Sequence, residues 1–402
     1  MTAKRKEEKL YLADAYMTSF EAVVVSCDPI ADERFAVKLD ATYFYPESGG
    51  QPGDKGLIAD AEIVDVQEDE AGKVVHIVTA AVEGKVHCEI DWDIRFDHMQ
   101  QHSGQHVLSR AFIEIAGMPT ESFHMGDDSC TIDIKGKQME EDKLDAVENL
   151  CNALVWEDRK ILVQTIPVAD LQEGAMRKSL PAGVSEARIV EVEDFDAVPC
   201  CGTHVRRTGE LGSIKILKHE KVKNHIRVHY KAGRRAFWDY QDKHDVVKAL
   251  ASRYTTSLDG IIDKTDKLAG DMQQLRREYQ KTAKKLVQLD KERILQAAGR
   301  SHDVRFAVQV CEDATEEYLN LLANACKNEP DTVVCLGSRK GHVVCATSVT
   351  LNIDFAKYII DQAKEAGGKG GGKGGFARVS IPPAVDVDKF LQKVSNHVKK
   401  NL

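Results

Sequence analysis

Apolar residues recur along this 402-residue chain with three different rhythms. Up to about position 92 they come in short runs at 22–26, 57–58, 74–78 and 86–90, separated by Gly, Pro and Asp. Such β-branched runs between turn residues predict short strands curling into a small barrel or strongly bent sheet. From about 95 to 233 the rhythm is mixed. A helix over 140–155 follows from Leu144, Val147, Leu150, Cys151, Leu154 and Val155 at i, i+3, i+4 spacing, while 130–134, 189–192, 214–217 and 225–230 read as strands. Beyond Gly233 the period is helical. A helix over 235–254 precedes Leu258, Ile261, Leu268, Met272, Leu275, Tyr279, Leu286 and Leu289 in three- and four-residue steps, broken at Thr265 and Thr282. That spacing predicts a helical hairpin arm with Met272 and Tyr279 packed in its seam. After about 301, buried strands at 306–310, 332–336 and 342–347 alternate with helices at 314–327 and 355–366.

The fold class expected is therefore α+β multidomain. Its parts are a β-barrel-like domain over 1–94, an α+β domain over 95–233, a helical arm over 234–300 and a C-terminal α/β domain over 301–402.

Composition adds limits. Hydrophobic content of 43% and charged content of 30% are ordinary for a globular protein, and no apolar run approaches the ~20 residues that span a bilayer. The charged N-terminus lacks the apolar core of a secretory signal. Ten scattered cysteines favour reduced thiols, with Cys27, Cys88, Cys130, Cys151, Cys311, Cys326, Cys335 and Cys345 as core fillers. A cytoplasmic protein without a membrane partner is expected. The net charge of -9 is segregated: 221–300 carries 19 Lys and Arg against 10 Asp and Glu, leaving 36 against 54 elsewhere. The basic stretch suits a polyanion, although a solvated helical face has the same composition.

Two pairings carry chemistry. His102-Ser-Gly-Gln-His106 falls in a helix-like context, so its rings share one face; Cys200-Cys-Gly-Thr-His204 reads as a turn or strand end. Three imidazoles and a thiolate form a donor set that zinc (Zn2+) favours. The first pairing lacks the glutamate of H-E-x-x-H, which argues against a protease of that class. The glycine-containing loop 46–53 has Gly49, Gly50 and Gly53, which let backbone approach a ligand closely. The tract 367–376 holds Lys369 and Lys373 among glycines but no P-loop, so ATP binding is not expected. By composition alone it reads as a flexible linker.

The two metal-ligand pairings, the stretch Thr42-Tyr-Phe-Tyr-Pro-Glu-Ser-Gly-Gly-Gln-Pro-Gly-Asp-Lys-Gly56 and the glycine tract, in this order, resemble the alanyl-tRNA editing proteins. These are free-standing relatives of the editing domain of alanyl-tRNA synthetase, and the resemblance is to their long form with a synthetase-like C-terminal domain. It covers nearly the whole chain and implies a zinc-dependent hydrolase that deacylates tRNA(Ala) mischarged with serine or glycine. The family's C-G-G-T-H stands here as C-C-G-T-H, and its spacing makes Cys200 the ligand beside His102, His106 and His204, with Cys201 as the rival. The resemblance also places Gly49, Gly50 and Gln51 beside the substrate, and gives Lys369 and Lys373 contact with a phosphate backbone. A homodimer through the C-terminal region is a further implication.

Gln105 and His124 are candidates for orienting substrate or water, against readings as a solvent-facing helix residue and a strand-edge histidine. Thr42 is the candidate partner for a serine hydroxyl, against a β-branched strand filler. Four protein ligands fill a tetrahedral site, so catalysis requires that one ligand be weak or that coordination expand. The alternative function is a nonenzymatic tRNA-binding protein whose zinc is structural.

Overall fold

The computed structural model describes residues 8–170 and 185–401; the N-terminal stretch read against a secretory signal lies largely outside the described residues, as does position 402. The chain is mixed α+β and divides into two compact units, one ending at Ala249 and the other beginning at Leu250. Among the described residues, no helix is long and apolar enough to cross a membrane.

The first unit opens with a closed six-stranded barrel. Its strands, in spatial order, are Ser19–Ile30, Arg34–Leu39, Val74–Val78, Ala61–Glu68, Gly56–Ile58 and Lys85–Ile90, each antiparallel to its neighbours. Closure leaves no strand edge to aggregate. Alternation decides which side chains go inside: Val86, Cys88 and Ile90 are buried, and Lys85, His87 and Glu89 between them are exposed.

One barrel residue breaks the apolar pattern. His76 is fully buried, with Nδ1 on the Val37 carbonyl at 3.0 Å and Nε2 on Thr42 Oγ1 at 2.9 Å. A carbonyl only accepts, so Nδ1 carries the proton and Thr42 donates to Nε2. Burial pushes this imidazole from 6.5 down to about 4. The unfolded chain therefore takes up the proton first as pH falls. The stabilisation from a neutral His76 is full above pH 6.5 and declines towards pH 4, by up to about 3 kcal/mol at 1.36 kcal/mol per unit. In urea unfolding between pH 7 and pH 4, His76→Gln should lose stability less steeply than the unsubstituted chain; equal slopes would contradict this.

Helix α1, Trp92–Ala116, follows the barrel directly. It begins because Asp91 accepts from the Ile94 amide at 3.1 Å and stops at Gly117, which adopts φ 65°. Packed about α1 are a four-stranded sheet in the order Ile214–Val222, His225–Ala232, Cys130–Lys135, Thr120–Met125, and helix α2, Glu141–Glu157. A three-stranded sheet, Ile161–Pro167, Glu186–Val192 and Asp196–Pro199, completes the layer. Met99, Leu108 and Phe112 of α1 share a core with Ile132, Val147, Leu154 and Val228.

The polar residues of α1 are buried too, which costs stability unless each finds a partner. Gln100 donates to the Glu210 carbonyl at 2.7 Å, and Gln101 exchanges two hydrogen bonds with the Ala232 backbone at 2.8 and 2.9 Å. The Gln101 bonds pin the end of the strand His225–Ala232, after which helix α3 runs over Gly233–Tyr254.

The second unit has helix α4, Ile261–Gln296, and a six-stranded sheet in the order Gly299–Ser301, Val304–Val310, Thr332–Gly337, His342–Thr347, Phe376–Ser380, Lys369–Lys373. Helix α5, Glu316–Lys327, packs with the C-terminal half of α4 on one face. Helices α6, Ala356–Glu365, and α7, Val387–Lys400, cover the other. Burial from both sides explains why all six residues of Thr332–Gly337 are buried.

Two expectations fail here. The glycine tract is not a linker: Lys369–Lys373 is an edge strand antiparallel to Phe376–Ser380. Glycine is required because a Cβ at Gly370 would stand 2.5 Å from the Arg378 carbonyl oxygen, and one at Gly372 would stand 2.2 Å from that of Phe376. Nor does the leucine row of α4 form a seam within this unit. Met272 is 73% exposed and Leu275 68%, because the row facing the core is Ala283, Val287 and Ile294.

Candidate metal centre

His102 and His106 stand one turn apart on α1, and Cys200 and His204 lie in the loop after Asp196–Pro199. Their ligand atoms all lie within 4.8 Å of one another. Zn–N and Zn–S bonds of about 2.0 and 2.3 Å in a tetrahedron separate two nitrogens by about 3.3 Å and nitrogen from sulfur by about 3.5 Å. Cys200 Sγ is 3.5 Å from His102 Nε2 and 3.3 Å from His204 Nε2. The donor set fits a zinc ion. Burial, reinforced by His102 and His106, holds the His204 imidazole well below its usual value and so keeps it in the neutral, ligand-competent form.

Two further ring nitrogens of the cluster are held by neighbours. His102 Nδ1 meets Gln51 Oε1 at 2.7 Å, and His204 Nδ1 meets Ser103 Oγ at 3.0 Å. Ser103 Oγ also accepts from the Val205 amide at 3.1 Å, tying the second motif to the first. Arg188 donates to the Cys200 carbonyl at 2.6 Å, and the Gly202 amide donates to Cys200 Sγ at 3.4 Å. Such outer contacts fix ring orientation and ligand basicity.

Gly202 permits the arrangement. A Cβ there would fall 2.1 Å from His102 Cε1, so the ring lies directly against bare backbone. Phe123 also stacks on that ring, with centroids 5.5 Å apart.

A cavity of about 210 Å³ opens on this cluster, and Tyr45, Gly49, Gln105, Phe123 and Cys201 are among the residues lining it. Gln105 is buried rather than solvent-facing, and its Nε2 donates to Ser109 Oγ at 2.6 Å. Gly49 and Gly50 adopt φ 60° and 86°, and Gly50 packs so close to Phe123 that a Cβ would stand 2.8 Å from its carbonyl oxygen. Cys200 joins the cluster, while Cys201 is exposed at the rim.

Other candidates lie elsewhere. Gln51 is fully buried, its side chain bonded to His102 and Thr203 rather than lining the cavity. His124 is exposed, because strand alternation turns it away from the face that carries Phe123 and the buried Met125. The Thr42 hydroxyl is taken up in the barrel by His76 and by the Phe44 amide at 3.1 Å. Lys369 and Lys373 belong to the second unit, exposed at the two ends of its edge strand. Ser103, Arg188 and Gly202 escaped the sequence reading; only Gly202, a glycine inside C-x-x-x-H, left a sign of its role.

The chain is similar to several known proteins. Residues 10–94 match the family described as tRNA synthetases class II (A). Residues 187–228 match the threonyl and alanyl tRNA synthetase second additional domain, and residues 303–400 the DHHA1 domain. The alanine–tRNA ligase of Thermococcus kodakarensis is 30% identical over 96% of this chain. The chain spans only 43% of that ligase's length. The alanyl-tRNA editing protein AlaX-L of Pyrococcus horikoshii is 26% identical, covering 98% of this chain and 99% of its own. The alanyl-tRNA editing protein Aarsd1 of Danio rerio is 30% identical over 82% of this chain and 83% of its own. By that extent of identity, this chain belongs to the alanyl-tRNA editing protein family.

Proposed function

We propose that the chain is a trans-editing hydrolase that deacylates tRNA(Ala) carrying serine or glycine, with His102, His106, Cys200 and His204 holding one zinc ion. The observation that carries this reading is the convergence of those four donors, of which His102, His106 and Cys200 line a small cavity. Bound there, zinc would supply an acidified water or polarise the ester oxygen.

The chain's own residues do the rest. Cys200 is the half-buried member of the four, the others being buried, and is therefore the ligand that solvent reaches most readily. Gln105 has its amide held by Ser109, itself hydrogen-bonded to Thr120 at 2.7 Å, so one rotamer is fixed where water or substrate must be oriented. Gly49, with open space where a Cβ would be, gives the acyl group room, and Phe123 closes the wall against His102. His124 and Thr42 have no part in this reading.

The barrel over 1–94 and the domain over 95–233 perform the chemistry, and the arm over 234–300 and the domain over 301–402 hold RNA. Lys369 and Lys373, with Arg378 exposed on the adjoining strand, present cations to a phosphate backbone. A homodimer through the C-terminal region is supported by the exposed apolar side chains of α4. Ten free thiols accord with the cytoplasm.

Purified protein incubated with Ser-tRNA(Ala), Gly-tRNA(Ala) and Ala-tRNA(Ala) should release serine or glycine and spare alanine, and a zinc chelator should stop the release. A zinc-loaded chain that releases none of the three would instead be a tRNA-binding protein with a structural metal.

A further inference from the structure

We propose that Gln51 is a positioning residue of the metal centre, by which a loop of the barrel fixes the ring orientation and tautomer of His102. The inference rests on the metal reading above and adds a working part to it.

The hydrogen-bond pattern leaves one orientation of the Gln51 amide. The Thr203 backbone N–H, 3.3 Å away, can only donate, so the atom facing it is Oε1. The same oxygen lies 2.7 Å from His102 Nδ1, which must then carry the ring proton. The lone pair is left on Nε2, the atom 3.5 Å from Cys200 Sγ. Gln51 Nε2 in turn donates to Thr203 Oγ1 at 2.7 Å, so the loop between Cys200 and His204 holds the amide that holds His102.

The barrel loop is stiff enough for this task. Ser48 and Gln51 exchange backbone bonds of 3.1 and 3.0 Å, and the Glu47 amide donates to the Val66 carbonyl at 2.8 Å. A Cβ on Gly202 would stand 3.1 Å from Gln51 Oε1, so the glycine that admits the His102 ring admits its partner as well. With its side chain fully buried and its amide in three hydrogen bonds, Gln51 would have to break them all to touch an aminoacyl group.

The test compares Gln51→Met, which keeps length and loses the acceptor, with Gln51→Glu, which keeps an acceptor for Nδ1, and with Thr203→Val. Zinc affinity is read by chelator competition, and ligand geometry by the visible spectrum of the cobalt-substituted protein; circular dichroism reports folding. We expect Gln51→Met to weaken zinc binding about 10–100-fold and to alter the cobalt spectrum. Gln51→Glu should stay close to the unsubstituted protein, and Thr203→Val should weaken binding in the same direction by less. If Gln51→Met does not fold, the other two decide. Unchanged zinc affinity with a raised KM in Gln51→Met would make Gln51 a substrate residue and overturn the proposal, as would a Gln51→Glu protein that loses zinc. An unsubstituted chain that binds no zinc would overturn the metal reading itself, and this inference with it.

Discussion

Gly202→Ala is expected to abolish zinc binding and deacylation together while leaving the chain folded. The added methyl would lie 2.1 Å from His102 Cε1 and 2.3 Å from its Nδ1, far inside van der Waals contact. His102 cannot retreat, because Phe123 stacks on it and Gln51 holds Nδ1. The Cys200–His204 loop cannot move without dragging two other ligands. One ligand must therefore leave the set, and a loss beyond the roughly 100-fold upper figure for outer-contact changes is expected. His102→Ala should match it. Gly49→Ala is the control for metal binding alone: nothing lies within 4 Å of its Cβ, so the donor set should keep its zinc, the φ of 60° costs about 1–2 kcal/mol of stability, and the methyl enters only the space given to the acyl group. Zinc content by elemental analysis compares Gly202→Ala with Gly49→Ala, and release of serine from Ser-tRNA(Ala) compares Gly202→Ala with His102→Ala. A Gly202→Ala protein that keeps its zinc would show that the loop is looser than this packing allows.

Residue chemistry made His102, His106, Cys200 and His204 legible as candidate donors before any coordinates, since three imidazoles and a thiolate are ligand types that zinc favours, while the choice of Cys200 over Cys201 came from the family resemblance. The parts of the site that escaped are those whose roles depend on contacts distant in sequence. Ser103 is an ordinary helix residue until His204, a hundred positions away, is brought against it. Gln51 read as a substrate residue because the family resemblance placed its loop beside the substrate, and nothing in the sequence tells that its amide faces a ring on α1.

The elements show the same division. Strands with continuous apolar runs, such as Val74–Val78 and His342–Thr347, were legible. Arg34–Leu39 and Ala61–Glu68 were not, because the charges on their outward faces dilute the pattern. Lys369–Lys373 has no β-forming side chain at all; backbone pairing with its neighbour makes it a strand. In α4 the leucine period is real, yet it marks an exposed face, because hydrophobic period reports a helix and not which side of it is covered.

Breaking the ion pair beneath the site should cost about 3–5 kcal/mol, the largest stability loss expected of any single change here. Arg95, two turns before His102 on α1, and Asp54, three residues after Gln51, are both fully buried. Arg95 Nε donates to Asp54 Oδ1 at 2.9 Å and Nη2 to Oδ2, while the other guanidinium donors reach the Ala15 and Tyr43 carbonyls at 2.7 and 2.6 Å. Asp54 also accepts from the Tyr45 amide at 2.5 Å. Asp54→Ala leaves a buried cation without its counter-charge, and Arg95→Met leaves a buried carboxylate. Each should lower the urea midpoint sharply. If unpaired charge is the main penalty, Arg95→Met with Asp54→Asn should recover part of the loss, because asparagine can still accept from Tyr45. Recovery should not be complete, since the Ala15 and Tyr43 carbonyls stay unpaired. The pair joins α1 to the loop that holds Gln51, so each single variant should also bind zinc more weakly at temperatures where it remains folded. A single variant with unchanged midpoint and unchanged zinc affinity would mean that water reaches this pair and that the barrel and α1 are held together by apolar packing alone.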